Sequence, residues 1–343
     1  MKWPPRSPGR AGDAARIGRR RPPGTARAAA PRLAWYLARR LLFALLMVFA
    51  VSSASLVLAH VAPGDYAGEA AGILGGRQRA GALRARYGLD RPLIEQYRAW
   101  VGGALRLDFG RSLAYDRPVA DLIPERAANT ALLAGAALAA ATLIGVPLGI
   151  FTGSRRGGVM AALVRGVSVL MLSMPPLLTS LLLVVVAART GWAPIGGMGT
   201  PAQLVIPATA LALPIAALFE RLQSQAIREV LGQRYILAAL ARGAPRRRVL
   251  WRDALKPAIR PVLSVYGLVV ATLLSGSFAV EMVTSWPGLG RLALEALRSR
   301  DVFLVAGCAG TGAAFLACGT LLSDFALAAI GRPPDDPEPV ADD

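Results

Sequence analysis

The chain has 343 residues, of which 54% are hydrophobic, and it carries a formal net charge of +18 with a mean hydropathy of +0.46. Length alone would permit two soluble domains, but so much apolar sequence needs a bilayer as its main solvent, which excludes that class. The charge does not indicate nucleic acid: basic residues crowd the first forty positions and a central loop without interleaved aromatic stacking platforms, and cytoplasmic retention of positive segments explains the excess. His60 is the only histidine, and Lys2 and Lys256, neither preceded by glycine, are the only lysines. A His-based metal cluster and a Gly-Lys-Ser/Thr phosphate loop are therefore both excluded, so any ATP that drives this protein is hydrolysed by another chain.

Residues 1–32, rich in Arg, Pro, Gly and Ala without apolar periodicity, are expected to be disordered. Residues 33–62 carry the first transmembrane helix, with Leu41 to Ala62 long enough at ~1.5 Å per residue to cross a ~30 Å hydrocarbon core. A cleaved signal peptide competes with this reading, but the long leader and the later spans favour an anchor. Residues 63–126 form a polar insert with nearly balanced charge and helical patterns at Arg79–Tyr87 and Pro92–Leu105. They are expected outside the cytoplasm.

Residues 127–332 supply five further spans. Span two, Ala127 to Phe151, contains Gly145 and Gly149, a small-x-x-x-small pair suited to dimerisation or to a packing groove within the subunit. Arg155 and Arg156 mark a cytoplasmic turn. Span three, Val159 to Ala188, is interrupted at Pro175-Pro176, where freed backbone carbonyls need protein or water partners. Ser173 to Pro176 are thus translocation-pathway candidates, against a plain structural kink. An outer loop from Arg189 to Gln203 precedes span four, Leu204 to Phe219, which Pro207 and Pro214 are expected to break.

Span five runs from Val262 to Val280 and Glu281 closes it; in the following EMVTSWPGLGRL string, Trp286 suits an interfacial depth and Pro287, Gly288 and Gly290 allow a tight turn. Glu281 is a costly carboxylate near membrane depth, either in the pathway or paired with Arg291. Span six, Val302 to Ile330, contains Asp324 and two cysteines, Cys308 and Cys318, read as buried thiols. Residues 333–343 form an acidic tail expected to be disordered. Six spans place both termini in the cytoplasm.

The central loop, residues 223–262, reads as two short helices joined at Gly243. Ile227, Val230, Leu231, Tyr235 and Ala238 recur at helical spacing on one apolar face. Gly243 stands where a helix C-terminus needs positive φ, and Pro245 where a new first turn accepts proline. In the second helix Arg248, Arg252 and Lys256 make a cationic face, and Pro257 kinks or ends it.

The run QRYILAALARGAPRRRVLWRDALKPAIRPVLS resembles the EAA loop of membrane permease subunits of ABC importers, in the dipeptide, oligopeptide and nickel family, with Tyr235, Ala239, Gly243, Val249, Ala254, Leu255, Ala258 and Pro261 at the family's spacing. Ala238, Asp253 and Pro257 depart from residues frequent there. HVAPGDYA, YGLDRPLIEQYRAW, LDFGRSL and EMVTSWPGLGRL resemble the same family, so the likeness covers about residues 33–332.

The resemblance implies an all-α membrane protein of six transmembrane helices with the type I ABC importer permease fold and a small extracytoplasmic insert. It implies as partners a second homologous permease, two ATP-binding cassette ATPase subunits docked on the cytoplasmic loop, and an extracytoplasmic solute-binding protein, and it places this chain in the bacterial inner membrane. The docking residues it implies are Arg234, Tyr235, Ala238, Ala239, Gly243, Ala244, Pro245 and Arg248; pathway candidates are Ser173, Pro175 and Glu281, the last facing peptide amino groups if not Arg291. Basic loop residues held to anionic membrane lipid are the bland alternative. No cofactor, metal or catalytic residue is implied. An autonomous secondary transporter or channel remains the competing class, with only Arg165, Glu281 and Asp324 as intramembrane charges to run it. An intramembrane enzyme is weaker still, because His60 stands alone at a span boundary.

Overall fold

The computed structural model describes residues 25–74, 77–155 and 157–329. The expectations for residues 1–24, Arg156, Ile330 and the acidic tail lie outside them. The chain divides into two compact units, residues 1–43 and 44–343, and the packing below is that of the second. Among the described residues the structure is helical, apart from one isolated bridge between Arg111 and Pro118.

Helix α1 spans Thr25–Val61, so it begins inside the leader that composition assigned to disorder through residue 32. Ala and Arg dominate that stretch, and strong helix formers adjoining an existing helix extend it without a new nucleation step. The insert carries α2 (Tyr66–Leu74), α3 (Arg77–Tyr87) and α4 (Leu93–Ala104). The second and third match the helical patterns in the sequence; α2 was not anticipated. Asp65 accepts the Gly68 N–H at 2.9 Å and pairs with Arg84 at 2.6 Å, tying the start of α2 to α3. The Arg84 guanidinium holds the Asp65 carboxyl below its ordinary range, so this tie is present above the unfolded value and is lost as pH falls through the folded one.

Helix α5 (Val119–Ser154) starts within the expected insert and carries span two. Helices α6 (Val159–Ser173) and α7 (Pro176–Thr190) meet at 107°, so span three is a broken pair and not a kinked rod. A 3-10 turn (Pro201–Leu204) leads into α8 (Val205–Leu231), which runs unbroken past both prolines. Pro207 lies in its first turn, where the missing N–H has no helical partner to lose; Pro214 is absorbed within the helix, contrary to the expected break.

The loop region contains α9 (Arg234–Ala241), α10 (Arg246–Arg248), a π-helical turn (Val249–Ala254), α11 (Leu255–Ala258) and α12 (Arg260–Ser264), followed by α13 (Tyr266–Val283). Helix α14 (Leu289–Arg298) and α15 (Val302–Ala329) are the last two elements among the described residues. Among the described residues five helical stretches are long and apolar enough to cross a membrane, and the bent α6–α7 pair makes up to six.

The core lies between α5, α8 and α13, where Leu133, Ala137, Leu211, Phe219, Leu273 and Trp286 are buried together. Phe219 stacks on Tyr266 with ring centroids 5.3 Å apart, and the Tyr266 hydroxyl lies 2.7 Å from Thr142 Oγ1. Glycines at 145, 149 and 153 fall along one stripe of α5 directly against α8; a Cβ on Gly149 would stand 2.6 Å from Gln223 Cβ. The small-residue pair thus packs within the subunit. Cys308 is buried on α15, whereas Cys318 is exposed, because ten positions along a helix turn the two thiols to different faces.

The insert is fastened to the α14–α15 junction by Asp301. This fully buried carboxylate accepts the Ser112 hydroxyl at 2.5 Å and the Ala114 N–H at 3.1 Å, while its other oxygen caps α15 at the Leu304 N–H, 3.1 Å away. Tyr115 Oη adds a bond to Glu295 at 2.8 Å. Replacing Asp301 by alanine removes a cap worth about 0.5–2 kcal/mol and strands the buried Ser112 hydroxyl. Limited proteolysis is expected to cut the 105–118 loop several-fold faster in Asp301→Ala; an unchanged rate would show that other contacts hold the insert.

Candidate functional site

Two features stand out: a helical hairpin at one end of α8, and a groove along α8 beside the broken span. The hairpin begins where α8 stops at Gly232, whose N–H is shared between Arg228 O and Glu229 O at 3.2 Å each. Gln233 is extended and α9 then restarts. This break resets the helical phase. Ile227 is a buried residue of α8, but on α9 it is Ile236 that is fully buried, with Ala239 and Leu240 beside it, against Val249 and Ala254. Tyr235 is 52% exposed and Ala238 is also exposed, so the single apolar face read across residues 227–238 does not exist.

The turn at Gly243 is as expected. Its φ is +84°, its N–H bonds Leu240 O at 3.0 Å, and the Ala244 N–H bonds Ala239 O at 3.2 Å, the paired bonds of a Schellman ending. Ala239 and Ala244 pack inward across it. Pro245 precedes α10 at its N-cap, with φ −65°. Arg234, Tyr235, Ala238, Gly243, Pro245 and Arg248 therefore present an exposed surface, while Ala239 and Ala244 hold it in place from behind.

Leu237 at the same surface and Trp251 beyond it are exposed large side chains that sequence reasoning passed over. Their signal was an apolar residue out of phase with its helix. Pro257 neither ends nor sharply bends the second helix: the π turn just before it widens the helix where the proline cannot donate, and the chain continues toward α13.

Beside α8, Ser173, Met174, Pro175 and Pro176 border a cavity of about 380 Å³ with Leu211, Pro214 and Leu273. Pro175 and Pro176 supply the N-cap and first position of α7, and Ser173 Oγ donates to Val169 O at 3.0 Å. Glu281 is elsewhere. Fully buried, it accepts the Thr130 hydroxyl at 2.8 Å and the backbone N–H of Arg291 at 3.1 Å. It makes no pair with the Arg291 guanidinium, which reaches Glu295 at 3.0 Å instead. Trp286 is 2% exposed, its Nε1 donating to Asn129 O at 3.1 Å, so it is a core side chain and not an interfacial one. Asn129 returns a bond from Nδ2 to Pro287 O at 2.9 Å. The SWPGLG turn is thereby stapled to α5. His60, at the end of α1, lies 2.9 Å from Gln96 Oε1 and serves the insert.

The site is thus an exposed helical hairpin at one end of a body of membrane-length helices, with a cavity beside the broken pair. The sequence matches the family of binding-protein-dependent transport system inner membrane components over residues 145–333, and the N-terminal part of such membrane components over residues 33–134. The chain is similar to a putative peptide permease protein of Brucella suis biovar 1 (strain 1330), 35% identical over 311 residues that cover 86% of this chain and 97% of the relative. It is similar to the oligopeptide transport system permease protein AppB of Bacillus subtilis (strain 168), 29% identical over 87% of this chain and 98% of the relative. The glutathione transport system permease protein GsiC of Escherichia coli (strain K12) is 32% identical over 78% of this chain and 87% of the relative. The chain belongs to the binding-protein-dependent transport system inner membrane component family. It is a permease subunit of an ABC importer, a transport component and not an enzyme.

Proposed function

We propose that this chain, with a second homologous permease, forms the translocation pathway for short peptides or a related small solute handed over by an extracytoplasmic binding protein. Two ATPase subunits dock on residues 223–262. The observation that carries the reading is the exposed hairpin surface of Arg234, Tyr235, Ala238, Gly243, Pro245 and Arg248, held on a buried Ile236–Val249–Ala254 cluster. In this reading the hairpin and both termini are cytoplasmic, residues 63–126 face the binding protein, and residues 127–332 form the moving core. The peptide assignment follows the relatives' printed roles. Ser173 and Pro175 line the pathway; Glu281 supports the turn at its outer end.

Coupling follows from the packing. ATP-driven closure of the ATPase pair pushes on α9; Ile236 presses on the π-helical turn; that turn is continuous with the segments feeding α13, so the push reaches the core spans. Short helices suit this because they are stiff on the scale of the contact. Co-purification from the native membrane tests the partners: two ATPase subunits and a second permease should stay bound, and should be lost when Tyr235 and Ala238 are both replaced by glutamate. A stable homo-oligomer that moves solute without an ATPase would overturn the proposal in favour of an autonomous transporter, and retention by anionic vesicles alone would reduce the loop to a lipid anchor.

Gly243 supplies a second test. A Cβ there meets nothing within 4 Å in this chain, so within the subunit Gly243→Val acts mainly through the positive φ. That strain costs about 1–2 kcal/mol, enough to depopulate the docking turn by roughly 5- to 30-fold. Uptake by the assembled complex is expected to fall several-fold while ATPase activity persists. Equal losses of both would mean a folding defect and not uncoupling.

A further inference from the structure

The groove along α8 does not end at the broken span. The 380 Å³ cavity at Ser173–Pro176 shares Leu172 with a narrower one of about 170 Å³, which in turn shares Arg228 with a cavity of about 760 Å³ under the coupling hairpin. Three cavities are thus strung along one side of α8, from the proline break to the surface on which the ATPase is proposed to dock. The narrow middle one is bordered by Arg165 and Ser168 from α6 and by Glu220, Arg221, Ser224 and Arg228 from α8.

Its chemistry is unusual for a helix-packing gap. None of the three arginines makes an ion pair among the described residues. Ser224 is 1% exposed, yet its hydroxyl has no hydrogen-bond partner. A buried hydroxyl without a partner is costly, and the three guanidiniums, two of them exposed, outnumber the single Glu220 carboxylate of the cavity wall. An oxyanion guest would accept from Ser224 and from planar guanidinium forks. The volume accommodates one carboxylate-bearing end group and not a whole peptide.

We propose that the Arg165–Arg221–Arg228–Ser224 cavity is a transit site for the carboxylate of the transported solute. The inference rests on the α8 groove being the pathway, as proposed above. Glu220 explains why the site would release what it binds. Thr152 Oγ1 on α5 donates to Glu220 Oε1 and fixes the carboxylate in the cavity wall, where it opposes any anion and limits its dwell time. Conduction requires a site favourable enough to enter and weak enough to leave. Arg228, three residues before the end of α8, belongs to both the middle cavity and the one under the hairpin, so displacement of the hairpin alters the cationic wall directly.

The test uses the complete importer, with both permeases, the ATPase subunits and the binding protein, reconstituted in vesicles. Uptake of trialanine and of trialanine amide is measured on each preparation, and their ratio cancels differences in the amount of active complex. The double variant Arg165→Gln/Arg221→Gln is expected to lower the carboxylate-to-amide ratio about tenfold, and Ser224→Ala about threefold. Arg165→Lys, which keeps the charge, should restore part of it, and Arg189→Gln, outside the groove, should leave the ratio at the wild-type value. An unchanged ratio in the double variant overturns the site. So does a loss that follows the vesicles' phosphatidylglycerol content equally for both probes, which would assign the arginines to lipid phosphate. If the wild-type complex carries neither probe, the peptide reading itself fails, a result distinct from an unchanged ratio.

Discussion

Gly149→Leu is expected to eliminate correctly folded protein from the membrane, while Gly135→Leu on the same helix is tolerated. The difference lies in what each new side chain meets. At Gly149 a single Cβ would already stand 2.6 Å from Gln223 Cβ and 2.7 Å from the Glu220 carbonyl oxygen, whereas at Gly135 nothing lies within 4 Å. Gly153 is equally confined, 2.6 Å from Ser224 O, and Gly145 closer still against Ala216 O. Relief would need α5 and α8 to separate, because the obstruction is backbone and Cβ and not the end of a flexible side chain.

Overpacking of ordinary cores costs about 1–3 kcal/mol, and forcing two helices apart exceeds that range against a total stability of roughly 5–15 kcal/mol. The crossing also holds Thr152 to Glu220, so its loss would expose a buried carboxylate. Size-exclusion profiles of the detergent-extracted protein check this. A monodisperse peak of equal height for Gly149→Leu and Gly135→Leu would show that the crossing is less close than described.

Glu281→Ala is expected to lower thermal stability by about 2–5 kcal/mol, the summed cost of two stranded buried donors and a small cavity. Glu281 is the centre of a relay: it accepts Thr130 Oγ1 and the Arg291 N–H, and Thr130 Oγ1 accepts the Leu289 N–H at 2.7 Å. Gly288 and Gly290 are where they are because this carboxylate and Phe278 leave no room for a Cβ. Glu281→Gln keeps an acceptor oxygen and should cost less than half as much. Thermal unfolding of the purified variants separates this from a solute-binding role: a pathway carboxylate would change uptake with little effect on unfolding, the opposite of what is expected here.

Much of this molecule was legible in the sequence because the deciding interactions are local. An apolar run of about twenty residues is long enough to cross the bilayer as a helix, and its own length and composition show it. Gly243 could be placed in its turn because only the residue's own φ is at stake, and α3 and α4 followed from patterns within a dozen residues. The break at Gly232 was missed because periodicity continues across it; only the loss of phase reveals it, and that is visible in which side chains find neighbours. Trp286 was assigned to the interface from its chemical type, but burial depends on Asn129, a residue 157 positions away that accepts its indole N–H.

Composition and local pattern alone determined the helical membrane class, the succession of apolar segments, the polar insert between the first two of them, the basic loop and the lack of a Gly-Lys-Ser/Thr phosphate loop. Tertiary structure decided the rest: that the glycine stripe of α5 meets α8 inside one subunit, that span three bends by 107°, that Glu281 is a staple, and that Arg165, Arg221, Arg228 and Ser224 share one cavity. The physical reason is range. Helix formation and membrane insertion depend on neighbours along the chain, whereas the worth of a buried carboxylate, a guanidinium or a glycine depends on atoms brought to it from helices far away in sequence.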